Sequence, residues 1–270
     1  MTQLHSIQAP LDSQQIAHYL GDALHQLRHF EVFGEIDSTN DWALQQCVEN
    51  HPLPVACCAE AQRHGRGRRG RSWASPRSSN IYLSLAWPFY RPLAELGPLA
   101  LVAGISVARI LSAYGVPARL KWPNDVLVDG RKIAGVLIES RIRAGRASEM
   151  IIGVGLNVAM PAAEGRSIDQ RWTDLLSVYG GEQGLERNRL VAELLQQLMD
   201  HCRIFEAQGF AALRSEWERL DLCRGQMIEV RQDEQCWVGE ARGVDDQGAL
   251  VVHTEQGERA FNAAEVSLRI

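Results

Sequence analysis

The chain is poor in lysine. Of its 28 basic residues only Lys121 and Lys132 are lysines, and arginine serves everywhere else. It has no C-x-x-C pair. Its six cysteines (Cys47, Cys57, Cys58, Cys202, Cys223 and Cys236) are scattered, which argues against a zinc site and reads as reduced thiols, several of them in the core. No apolar run approaches the ~18–20 residues that span a bilayer, and the N-terminal segment lacks the basic-then-apolar order of a secretion signal. The cytoplasm is therefore the expected location, with no membrane partner. There is no excess of positive charge either: the net charge is -5, so the chain as a whole is not built to coat nucleic acid. What is present is ordinary for a globular protein, 46% hydrophobic and 23% charged residues. The length suits one large domain, or a catalytic domain with a small appendage.

One absence is local. No Asp or Glu occurs from Ala61 to Ala94, a segment that holds seven arginines. At its centre is GRGRRGRSW, Gly65 to Trp73. Gly65, Gly67 and Gly70 satisfy G-x-G-x-x-G, the pattern of a dinucleotide-binding turn. That turn must open a helix and be followed by an acid that holds a ribose. Here SWASPRSSN follows, where Pro76 and a cluster of turn residues refuse a helix, and the acid is missing. A short nucleic-acid arm and a plain solvated basic loop both remain open. A third reading fits more of the residues. Glycine gives the loop freedom and open N–H groups, and arginine supplies forked donors for carboxylate and phosphate. Such a loop suits a reaction that brings two anions together.

Hydrophobic periodicity organises the rest. Asp12 and Ser13 cap a helix with Ile16, Leu20, Leu24 and Leu27 on one face. Strands are expected at 31–36, 55–60 and 81–87, with a helix at 41–49 between the first two and a long loop at 62–79. A buried helix is expected over 96–114, with Pro98 in its first turn. A run of strands joined by tight turns follows from Arg119 to Val158. Amphipathic helices cover 187–207, with Val191, Leu194, Leu198, Cys202 and Phe205 on one face, and 210–220. From about Leu222 short strands alternate with turns, as in a small β-barrel.

Four segments in order carry a resemblance: DSTN at 37–40, EAQRHGRGRRGRSW at 60–73, KWPNDVLVDGRKIAGVLIE at 121–139, and GVGLN at 153–157. Together they resemble the biotin protein ligase family, over roughly residues 12 to 270. The resemblance implies an α+β fold: a mixed β-sheet flanked by helices, like class II aminoacyl-tRNA synthetases, over 1–221, then a small SH3-like barrel over 222–270. It implies a two-step reaction. Biotin's carboxylate attacks the α-phosphate of ATP, giving biotinyl-5′-AMP and pyrophosphate, and a lysine of a biotin carboxyl-carrier protein then displaces AMP. Magnesium accompanies the ATP.

The matched positions acquire roles by this resemblance. Ser38 and Thr39, with Asn40 beside them, resemble the group that holds the ureido head of biotin; plain helix capping is the alternative. Gln62 resembles a biotin-contacting glutamine. Gly65, Arg66, Gly67 and Arg68 resemble the loop that closes over biotin and its carboxylate. Arg68, Arg71 and Trp73 resemble its ATP side, while Arg69 has no assigned role. Lys121 and Arg68 are the expected catalytic residues, Lys121 acting as a cation between carboxylate and α-phosphate. Gly135, Gly153 and Gly155 would let biotin approach the sheet. Asn157 would lie near phosphate and magnesium, and Asp125 is a weaker candidate for the metal. No dedicated metal ligand set is expected. Trp172 would stack on adenine or else belong to the core, and Arg269 would reach the phosphates from the small domain. With one helix before the first strand, an N-terminal DNA-reading domain is not expected, nor is sequence-specific DNA binding. A monomer or weak homodimer is expected. The rivals are a lipoate or octanoate transferase of related fold and a nucleic-acid-binding module.

Overall fold

A computed structural model describes residues 7, 9–166, 168–181, 184–232 and 235–262, with the backbone alone at 267–269. Among the described residues seven strands share one sheet: β1 (His29–Phe33), β2 (Val55–Ala59), β3 (Ile81–Phe89), β4 (Arg119–Lys121), β5 (Asp125–Val128), β6 (Arg131–Arg141) and β7 (Ser148–Leu156). Their order is β1-β2-β3-β7-β6-β5-β4. β1 and β2 are parallel and the other neighbours antiparallel, so the sheet is mixed, as expected.

Side chains alternate across a strand, and here the alternation separates two environments. Leu83 and Leu85 of β3, Ala134 and Val136 of β6, and Ile152 and Val154 of β7 enter the main core. Their neighbours Ser84, Gly135, Gly153 and Gly155 face the other way. The helices are α1 (Ser13–Leu20), α2 (Thr39–Val48), α3 (Leu99–Ala113), α4 (Ala162–Gly165), α5 (Leu175–Tyr179), α6 (Arg187–Gln208) and α7 (Ala211–Leu220). α3 and α6 cover the first face, with α1 and α7 packed on them. α3 is apolar almost all round and correspondingly buried. The five α6 residues expected on one face are all buried, and Phe205 meets Phe89 edge to face at 5.7 Å. On the second face α2 covers part of the sheet through Ala43 and Cys47, which pack on Val55, Ala86 and Ile151.

Three expectations need correction. The first helix does not run through Leu27: Gly21 (φ 52) leaves the helical region, and a 3₁₀ turn, Gly21–Gln26, carries the chain on. α2 begins at Thr39, so Thr39 and Asn40 of DSTN lie inside the helix instead of preceding it, with Ser38 as its cap. Pro98 is the cap of α3, before its first turn.

The tail forms a second sheet, antiparallel throughout: β8 (Met227–Gln232), β9 (Gln235–Val244), β10 (Leu250–Thr254), β11 (Gly257–Phe261) and β12 (Ser267–Arg269), in the order β11-β10-β9-β8-β12. It is fastened to β4 on both sides of Lys121. Leu222 N–H donates to Leu120 O at 2.8 Å, and Trp122 Nε1 donates to Gly248 O at 2.9 Å. The chain ahead of α1 is held by the buried Arg187, which pairs with Glu60 at 2.7 Å and donates to the carbonyls of Ile7 and Ala9. No helix among the described residues is long and apolar enough to cross a membrane.

Candidate active site

The site is built in cross-strand rows on the second face of the sheet, where directly paired residues point the same way. One row runs Lys121, Asp125, Gly135, Gly155, Tyr82 across β4, β5, β6, β7 and β3. Its two glycines make a trough in the middle. A Cβ at Gly135 would lie 3.0 Å from Trp73, and one at Gly155 would collide with the same indole. Trp73 thus lies along the trough, and its buried Nε1 finds no acceptor among the described residues. The next row runs Cys57, Ser84, Gly153, Leu137. Here Asn40 lies on Gly153, where any side chain would displace it.

The end of the site beneath α2 is polar and connected. Thr39 N–H donates to Gln62 Oε1 at 2.9 Å, and Gln62 Nε2 donates to Ser75 Oγ at 3.0 Å. Ser84 Oγ donates to Asn40 Oδ1 at 2.6 Å. Ser38 Oγ accepts from Asp41 N–H at 3.4 Å, so it caps α2 while also lining the cavity. Thr39 and Asn40, of the same helix turn, also line it.

The Arg/Gly segment has more structure than a plain loop. Arg66 and Ser72 form a bridge, Trp73 N–H donates to Gly65 O, and Arg68–Gly70 makes a 3₁₀ turn with Arg69 left-handed (φ 57). Arg66 pairs with Asp41, and with Glu139 at 2.9 Å. Burial, and then the neighbouring Arg69, hold the Arg68 guanidinium below its ordinary pKa. It donates to Asn124 Oδ1 at 3.4 Å. Asn124 is itself anchored by donating to Val136 O at 2.7 Å.

At the far end Asn157 donates to Thr173 O at 3.1 Å, and its buried Oδ1 has no donor among the described residues. Trp172 donates to Gly165 O at 2.9 Å and packs so closely on Gly165 that a Cβ there would collide with it. It is half-buried and lines the cavity, so it belongs wholly neither to the core nor to solvent.

One cavity of about 1050 Å³ joins these parts. All the expected site residues line it, with two exceptions. Gly65, at the start of the loop, does not line it, and a Cβ there would press on Trp73 O at 2.6 Å. The Arg269 side chain lies outside the described residues. Around the cavity Arg66, Arg68, Arg69, Arg71, Lys121 and Lys132 outnumber Asp125 and Asp169, so the lining favours anions. Lys132 was missed. Its ammonium lies 5.3 Å from the centroid of Trp73 and 2.6 Å from Asp125 Oδ1. That pairing engages Asp125, the weaker magnesium candidate, and leaves Lys121 with no carboxylate within ion-pair distance among the described residues. The signal was present: both lysines of a lysine-poor chain line this one cavity. Ser75, Ser84 and Glu139 were missed as well, and nothing local in the sequence marks them.

Comparison with known proteins defines first the class and then the family. The biotin/lipoate A/B protein ligase family matches residues 32–157, the segment that builds the trough, and the biotin protein ligase C-terminal domain matches residues 225–269. The biotin–[acetyl-CoA-carboxylase] ligase of Mycobacterium tuberculosis is 33% identical over 258 residues, covering 93% of this chain and 92% of that one. The bifunctional ligase/repressor BirA of Escherichia coli is 38% identical over 240 residues, covering 88% and 73%. Among solved structures, the biotin protein ligase of Aquifex aeolicus in complex with biotin and ATP superposes with a TM-score of 0.74, at 27% identity, over 90% of this chain and 99% of that one. The chain belongs to the biotin protein ligase family, and it is an enzyme, a ligase.

Proposed function

We propose that this ligase activates biotin with ATP as biotinyl-5′-AMP and transfers the biotinyl group to a lysine of a biotin carboxyl-carrier protein in the cytoplasm. The observation that carries this reading is the row from Lys121 through Gly135 and Gly155. It joins a polar pocket at one end to a cationic wall within a single cavity. In the first step a carboxylate oxygen of biotin bonds to the α-phosphorus and the bond to the pyrophosphate oxygen breaks. In the second, the acceptor amine bonds to the acyl carbon, AMP leaves and the amine loses a proton.

Ser38, Thr39, Asn40 and Gln62 hold the ureido head, while Gly153 and Gly155 let Asn40 and Trp73 sit low on the sheet and so border the space for the bicyclic ring. Arg66, Gly67 and Arg68 meet the carboxylate. Lys121 and Arg68 neutralise the two anions as they approach, a role that strengthens as charge shifts in the transition state. Arg71, Trp73, Asn157 and Trp172 form the nucleotide side, and Arg269 is assigned to the phosphates by resemblance alone. No group of three His, Cys, Asp or Glu side chains suited to a metal occurs among the described residues. The orphaned acceptor of Asn157 fits a magnesium ion carried in by the triphosphate, which would draw charge from the phosphates when bound. The catalytic part spans residues 1–221 and the barrel-like part 222–270.

The polar end also separates biotin from lipoate and octanoate. A ureido ring offers two donors and an acceptor, which Thr39, Gln62 and Asn40 can pair. A dithiolane or alkyl tail offers none, so it would cover those polar groups without adding a hydrogen bond to them. Pyrophosphate release is expected only with biotin and ATP together. Equal release with lipoate or octanoate, or none with biotin, would overturn the reading.

A further inference from the structure

Glu139 sits at the end of the third row of the open face, paired through Ile151 with Ala86. It does not line the cavity. Yet its Oε2 accepts from two residues that do: Asn40 Nδ2 at 2.8 Å and Arg66 Nη2 at 2.9 Å. The first contact fixes the Asn40 amide. A carboxylate only accepts, so the amide nitrogen must face Glu139, and Asn40 Oδ1 then faces the Ser84 hydroxyl. The second contact, together with Asp41, holds the first arginine of the Arg/Gly loop over the pocket. One oxygen therefore ties the floor of the pocket to the lid.

We infer that Glu139 is a positioning residue that couples the orientation of Asn40 to closure of the loop through Arg66. This deepens the proposed function and rests on it for the ligand's identity. The coupling itself needs only contacts within the chain. Removal of the carboxylate frees the Asn40 amide to turn and present the wrong group to the ligand. It also leaves Arg66 with Asp41 alone, a half-exposed partner that holds it less firmly.

The test compares Glu139→Ala, Glu139→Gln, Arg66→Ala and the double variant with the parent chain. It reads biotin binding by calorimetry, steady-state pyrophosphate release, and cleavage of the 65–73 loop by a protease of broad specificity. Glu139→Ala is expected to raise the KM for biotin about tenfold, with kcat changed less than about twofold, the size of one lost charge-assisted contact. It should also speed loop cleavage without ligand, and adding Arg66→Ala should speed it only by what the remaining Asp41 pair contributes, less than Arg66→Ala does in the parent chain. Glu139→Gln still accepts from Asn40, so it should recover most of the biotin affinity. It carries no charge for Arg66, so cleavage should stay fast. Parent-like KM and cleavage in Glu139→Ala would overturn the inference. So would an equal rise in the KM for biotin and for ATP with a lowered melting temperature, which marks general loosening. If the parent chain released no pyrophosphate with biotin, the proposed function would fail, while the ligand-free cleavage comparison would still decide the coupling.

Discussion

The two faces of the seven-stranded sheet are made by alternate residues of the same strands, and they do opposite things. On one face Leu83, Val136, Ile152 and Val154 pack under α3 and α6. On the other Ser84, Gly135, Gly153 and Gly155 leave a trough that a loop, a helix end and two lysines surround. Neighbours in sequence thus answer to different requirements. The packed face fills space, and a change there is felt as stability. The open face keeps space, and a change there should be felt as binding and rate.

The sharpest test of this division is Lys121→Ala, which should lower the rate of adenylate formation by about 10³-fold, as the loss of a preorganised charge does. Its melting temperature should hardly move, and a cooperative unfolding curve checks that the fold survives. Full activity would remove Lys121 from the chemistry. Gly155→Val and Val154→Ala then probe adjacent residues on opposite faces. Valine at 155 meets Trp73 and fills the trough, so biotin affinity by calorimetry should fall by about 100-fold, roughly 2.7 kcal/mol. Alanine at 154 should cost about 2 kcal/mol of stability in urea and leave the KM for biotin alone. If both variants lose stability and neither loses affinity, the two faces are not divided in this way.

The smallest effects concern acid. His201 lies under the packed face, where Ser106 Oγ is 2.7 Å from its Nδ1. Burial, and then Arg109, push its pKa down to about 4. The folded state therefore resists protonating it, and its contribution to stability is lost as pH falls from about 6.5 towards 4. Asp221, buried where the two sheets join, is pushed up to about 6 by burial, against the hydrogen bond from Cys223 N–H. Its contribution has the other sign: it is full at low pH and is lost as pH rises from about 4 to 6. The two slopes oppose each other in one window. Asp221→Asn should therefore make the chain more sensitive to acid between pH 6 and 4, and His201→Gln less so, each by the order of 2 kcal/mol in chemical denaturation. Unchanged slopes in both variants would show that neither group titrates with folding.

Much of the fold was legible, and for identifiable reasons. β3 alternates cleanly at Ile81, Leu83 and Leu85, and α6 repeats its apolar residues at helical spacing, so periodicity alone placed both. The break at Gly21 was not legible, because Leu24 and Leu27 continue the helical spacing past it while a 3₁₀ turn satisfies the same burial. The loop motif, Lys121 and the strand glycines were legible as a set. Their common cavity was consistent with the motifs but depends on β4 and β7 coming to the same face. Lys132 carried only the weak signal of rarity.

Residue order by itself determined which faces could be apolar, where glycine would interrupt a strand, and that one acid-free loop would carry the positive charge. These are local properties of composition and spacing, and they survive any arrangement of the elements. The tertiary structure alone decided that Lys121 shares a row with Gly135 and Gly155, that Lys132 and not Lys121 pairs with Asp125, and that Glu139 joins Asn40 to Arg66. Those contacts span tens of residues in sequence, and they follow from strand order and register, which no single segment encodes.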